Sequence, residues 1–142
     1  MRAGTENVYG IVGFAKALEL ATESMEKDAA FILSLKLYLA EQLQKHVPGV
    51  IFNGDTFGNS LYTVLNVGFP KTEKSEMLLF NLDVNHICVS GGSACSSGVN
   101  VGSHVIGAFR DNSKQETLRF SFSKHNTLAE IDAVIEVIKT II

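Results

Sequence analysis

The chain has 142 residues, of which 46% are hydrophobic, with two prolines, two cysteines and a net charge of −3 at pH 7. That length and apolar content suit one globular domain, residues 1–142, with a core of its own, and exclude a disordered tail. Mild acidity without a Lys/Arg cluster argues against nucleic acid or an anionic membrane as partner, the apolar runs are too short for a membrane span, and the opening "MRAGTENVYG" lacks the apolar stretch of a secretory signal.

The first half reads as helical. "VYGIVGFAKALELATES" offers Ile11, Ala15, Leu18 and Ala21–Thr22 at helical spacing. A polar seam at Thr22–Lys27 then separates it from a second pattern, with Met25, Ala29, Ile32, Leu35, Leu39, Leu43 and Val47 on one stripe near the 3.6 period. Pro48-Gly49 ends that helix. Strands follow at Val50–Gly54 and Ser60–Phe69, the second rich in branched and aromatic residues, with a turn between them at Asn53–Ser60.

Thr72–Leu82 reads as a helix with acidic residues in its first turn, which suit the helix dipole. "HICVS", His86–Ser90, is expected as a short strand, and Ser103 as the cap of a short helix over His104–Phe109. In "TLRFSFS", Leu118, Phe120 and Phe122 alternate with Arg119 and Ser121, the pattern of a half-buried strand. "TLAE", Thr127–Glu130, is a capping box that opens a last amphipathic helix through Leu128, Ile131, Val134, Ile135, Ile138 and Ile142. This order predicts an α/β domain of the layered α+β kind, a small and mostly antiparallel sheet with helices on one face.

Two cysteines make no disulfide framework and point to a reducing compartment, here the cytoplasm. No Cys-x-x-Cys or His-x-x-x-His pair is present, so no metal site is expected. Cys95 stands out because "VSGGSACSSG" surrounds it with residues too small to shield a thiol. Arg119 sits on the polar phase of an otherwise apolar strand, and arginine is the residue suited to gripping a carboxylate with two parallel hydrogen bonds. Thr5, in "RAGTEN", precedes a helix whose free backbone N–H groups could hold a phosphate. Taken singly, each has a plainer reading that composition favours: an incidental loop cysteine, a solvent-facing strand residue, and a helix N-cap at Thr5 or Asn7.

Taken together, "RAGTEN", "SGGSACSSG", "SHVIGAF", "LRFSFS" and "NTLAEID", in this order, resemble the C-terminal part of the cysteine desulfurases, pyridoxal-phosphate enzymes of the class V aminotransferase family. The resemblance runs over nearly the whole chain and implies the C-terminal domain of a fold-type I enzyme. It implies that Cys95 is the catalytic cysteine, which takes sulfur from L-cysteine as a persulfide while alanine is released. It implies that Arg119 holds the substrate carboxylate, and that Thr5 reaches the cofactor phosphate of the partner subunit in a homodimer. A sulfur-acceptor protein follows as partner.

The family's Schiff-base lysine lies in a His-Lys segment upstream of the Gly-Thr motif, and none of the nine lysines here matches it. Met1 abuts the middle of a motif. The resemblance therefore implies a C-terminal piece of a longer enzyme, inactive by itself. Two alternatives stay open: a selenocysteine lyase or another class V enzyme, and a stand-alone sulfur-carrier or partner-binding domain without the cofactor.

Overall fold

A computed structural model describes residues 3–92, 103–111 and 114–142. Its elements in chain order are helix α1 (Val8–His46), strands β1 (Ile51–Phe52) and β2 (Val64–Pro70), a single 3₁₀ turn (Ser75–Met77), helix α2 (Leu78–Val84), strand β3 (Ser90–Gly91), helix α3 (His104–Phe109), strand β4 (Gln115–Ser121) and helix α4 (Leu128–Ile141). The four strands form one antiparallel sheet in the order β1-β2-β4-β3. Alternation divides its two faces. Leu65, Val67 and Phe69 of β2 with Leu118 and Phe120 of β4 enter the core, where Leu35, Leu39 and Leu43 of α1, Leu78 and Leu82 of α2, and Ile131, Ile135 and Ile138 of α4 meet them. Gly68 leaves room for Ile51, its partner across the antiparallel β1–β2 pair: a Cβ there would stand 2.7 Å from Ile51 Cγ1 and force that side chain to move.

The two expected N-terminal helices are one helix of 39 residues. The seam at Thr22–Lys27 holds neither proline nor glycine, so nothing in it interrupts the backbone hydrogen bonds. Its polar residues are instead used from within the helix. Ser24 Oγ donates to Asp28 Oδ2 at 2.7 Å, and Asp28 pairs with Lys124 at 3.0 Å across to the segment before α4. These bonds, Ser24 first and then Lys124, hold the Asp28 carboxyl below its ordinary value. Tyr38 Oη donates to Asp132 Oδ1 at 2.7 Å, a second tie between α1 and α4.

The apolar stripe of α1 is covered over only part of its length. Ile32, Leu35, Leu39, Ala40 and Leu43 are buried, whereas Ile11, Phe14, Leu18 and Met25 are each more than half exposed. Within the buried part, Lys36 enters the interior, and its Nζ donates to Ser60 Oγ at 2.7 Å and to the Leu61 carbonyl at 3.0 Å.

The expected strand at His86–Ser90 is two residues, Ser90–Gly91. Its first residues serve the end of α2 instead. His86 adopts φ +62°, its N–H donates to the Asp83 carbonyl at 2.9 Å, and the Ile87 N–H donates to the Leu82 carbonyl at 2.9 Å. That pair of bonds is the Schellman closure of a helix, usually made with glycine at the left-handed position. The acidic first turn expected for this segment falls in the 3₁₀ turn, at Glu76, and not in α2. The Thr127–Glu130 capping box and the Ser103 cap form as the sequence indicates.

Candidate active site

Arg119 lies in β4 on the face of the sheet away from the core, and it is exposed. Register places it between two strands. Asn66 of β2 is its partner on one side and Ser90 of β3 on the other. Its Nη2 donates to Ser90 Oγ at 3.4 Å. Among the described residues no Asp or Glu carboxylate stands within ion-pair distance of it. Among the described residues, Ser90 Oγ takes one of the guanidinium's five donors and the others meet no side-chain acceptor.

The row continues to β1. Asn53 N–H donates to the Asn66 carbonyl at 3.0 Å, extending the β1–β2 pairing by one residue. Asn53 Nδ2 donates to Asn66 Oδ1 at 2.7 Å, and Arg110, just past α3, donates from Nη1 to Asn53 Oδ1 at 3.4 Å. Asn53, Asn66, Ser90 and Arg110 were not among the residues singled out from sequence. Asn66 carries the same signal as Arg119, a polar residue between apolar neighbours on a strand, but only the register brings the row together.

Thr5 is exposed and lies ahead of α1. Asn7, not Thr5, caps that helix, accepting from the Gly10 N–H at 3.1 Å. Thr5 and Arg119 do not meet within one chain. The helix between Val8 and Lys36, where α1 reaches the loop before β2, runs about 42 Å at 1.5 Å per residue. Cys95 lies outside the described residues, in the segment that joins β3 to α3. Cys88 is an exposed free thiol. Among the described residues no three His, Cys, Asp or Glu side chains converge as metal ligands, and no helix is long and apolar enough to cross a membrane.

These residues do not by themselves fit a pyridoxal phosphate. The phosphate candidate Thr5 is remote from Arg119, and Lys36, the buried lysine among the described residues, is committed to Ser60 and Leu61.

The Aminotransferase class-V family model matches residues 1–134. The cysteine desulfurase IscS of Dictyoglomus turgidum is 35% identical over 143 aligned positions, covering 99% of this chain and 36% of that protein. A cysteine desulfurase of a Nostoc species is 39% identical, covering 99% of this chain and 35% of its own length. The solved structure of a NifS-like protein from Rickettsia africae superposes with a TM-score of 0.74 at 29% identity, covering 99% of this chain and 36% of that one. The chain thus spans about a third of the length of the relatives it matches. With a family match over most of its length and the same fold in a solved structure, this chain belongs to the class V aminotransferases.

Proposed function

We propose that this chain is the part of a cysteine desulfurase that supplies the sulfur-accepting thiol, Cys95, and the carboxylate-binding residue, Arg119. The observation that carries the reading is the pairing of β3 with β4. Arg119 faces outward beside Ser90, and Cys95 follows Ser90 by five residues in sequence, a tether that spans at most about 17 Å. A substrate whose carboxylate is held at Arg119 is then within reach of that thiol.

L-cysteine fits both groups. Its carboxylate matches the guanidinium, and its sulfur is the atom that the Cys95 thiolate attacks. A new S–S bond forms as the substrate Cβ–S bond breaks. The carbon fragment takes up a proton and leaves as alanine, and Cys95 carries the sulfur as a persulfide to an acceptor protein. Pyridoxal phosphate would be held by residues outside this chain together with Thr5, and would supply the electron sink that such a bond cleavage needs. Thr5, far from Arg119 in its own chain, is suited to the cofactor phosphate of a second subunit in a homodimer. The reaction belongs in a reducing compartment such as the cytoplasm, where the thiol stays free.

The test uses the complete enzyme that contains this sequence, assayed for alanine and released sulfur from L-cysteine. Cys95→Ser is expected to abolish turnover with the cofactor still bound, because a hydroxyl is a far weaker nucleophile than a thiolate. Cys88→Ser is expected to leave turnover near normal. Retained activity in Cys95→Ser would assign the chemistry to another residue.

A further inference from the structure

The side-chain bonds across the outer face of the sheet all run in one sense. A guanidinium has donors and no acceptor, so Arg110 admits only the oxygen of the Asn53 amide. That turns the Asn53 nitrogen toward β2, where it takes up the oxygen of Asn66 at 2.7 Å. The remaining end of Asn66 is its Nδ2, with two N–H donors and no acceptor among the described residues. Asn53 lies on the β1 side of Asn66, and Arg119 is its partner on the β4 side.

Two donor-only ends thus occupy neighbouring positions of adjacent strands, roughly 5 Å apart at the backbone. Arg119 is held at one edge by Ser90 Oγ. The gap suits an acceptor with more than one oxygen and a negative charge, and a carboxylate has about four lone-pair sites to share between the two donors.

We infer that Asn66 is the second donor of the carboxylate site whose first donor is Arg119, and that Arg110 acts through Asn53 to keep the Asn66 amide in its donating sense. This rests on the reading of Arg119 as the carboxylate-binding residue. Asn66 adds a hydrogen bond without adding a second charge to desolvate. Arg110 and Asn53 are positioning residues.

The experiment titrates the isotope-labelled chain with acetate against chloride at constant ionic strength, following the Asn66 side-chain amide and the Arg119 guanidinium by NMR. Both signals are expected to shift with one common dissociation constant. Asn66→Asp, which keeps the shape and turns the donor into an acceptor, is expected to weaken acetate about tenfold, the size of one hydrogen bond to a charged group. Arg110→Lys keeps a donor-only group and is expected to stay near the parent chain. Arg110→Glu reverses the polarity of both amides and is expected to weaken acetate clearly more than Lys114→Glu, which makes the same charge change elsewhere. A shift at Arg119 without one at Asn66 overturns the inference and leaves the carboxylate reading of Arg119 standing. Equal losses in Arg110→Glu and Lys114→Glu overturn the relay. No response at either residue removes the carboxylate site itself, and both readings with it.

Discussion

Arg119 of β4 stands directly opposite Ser90 of β3, and its Nη2 donates to the serine Oγ at 3.4 Å. The contact is long and exposed, so Ser90 orients the guanidinium without using up its donors. If the complete enzyme holds the L-cysteine carboxylate at Arg119 as proposed and closes water out around the pair, Arg119→Ala is expected to cost about 2–5 kcal/mol of transition-state binding, the range for removing one member of a desolvated charge pair. Arg119→Lys keeps the charge but loses the two-pronged geometry, and should fall between the parent enzyme and Arg119→Ala. Ser90→Ala should have a small effect. The measurement is kcat/KM for L-cysteine, and unchanged values for Arg119→Ala would return Arg119 to a plain surface role.

The half-covered stripe of α1 gives a contrast within one helix. Leu39 is buried against the sheet and α4, so Leu39→Ala leaves a cavity and is expected to destabilise the chain by about 2–5 kcal/mol. Leu18 belongs to the same stripe but is 57% exposed. Leu18→Ala removes little buried surface and introduces the best helix former, so its effect should lie within about 0.5 kcal/mol. Urea unfolding of the two variants checks this. A large loss in Leu18→Ala would mean that the N-terminal half of α1 is packed in solution.

Local signals were legible in the sequence and pairing was not. The Thr127–Glu130 box needs only residues three apart, and the alternation of Leu118, Arg119 and Phe120 needs only one strand, so both could be read directly. The polar seam misled because Ser24, Asp28 and Lys124 are polar for a tertiary reason, a tie between α1 and the segment before α4. Ser60 and Leu61 looked like the start of a strand, yet their oxygens are committed to the Lys36 ammonium and β2 begins at Val64. For the candidate site, the phase of Arg119 was readable within its own strand. The row of Asn53, Asn66, Arg119 and Ser90 exists only once four segments are in register, and no single segment announces it.

His86 closes α2 in a conformation that costs an L-residue about 1–2 kcal/mol. His86→Gly keeps both Schellman bonds, which use only backbone atoms, and removes that cost. Part of the gain is offset by the greater freedom of glycine in the unfolded chain. A net stabilisation of about 1 kcal/mol is expected, or roughly 3–5 °C in Tm for a domain of this size. His86→Ala keeps the penalty and should not stabilise. A thermal melt of the two variants decides it, and a lower Tm for His86→Gly would mean that the imidazole makes a contact worth more than the strain.

Lys36 ties the loop before β2 to α1, and its burial sets a pH dependence with a definite sign. Burial pushes its ammonium below the ordinary lysine value of 10.5, and the Asp55 carboxylate offsets part of that shift. The unfolded chain therefore holds this proton more tightly than the folded one. Under proton linkage, a depressed lysine costs stability most at neutral pH and below, and the cost fades as pH rises toward 10.5. Lys36→Met keeps a similar length, removes the ionisation, and leaves the Ser60 hydroxyl and the Leu61 carbonyl without their donor. Both residues reach solvent, so water can replace the lysine, and the net change near neutral pH should stay within about 2 kcal/mol. The diagnostic quantity is the difference in unfolding free energy between the parent chain and Lys36→Met. It should move in favour of the parent as pH climbs through the alkaline range toward 10.5, because only the parent is relieved of a buried charge. Urea unfolding at a series of alkaline pH values measures it. A difference that stays flat, or moves the other way, would show that the ammonium is as well satisfied inside the fold as in water.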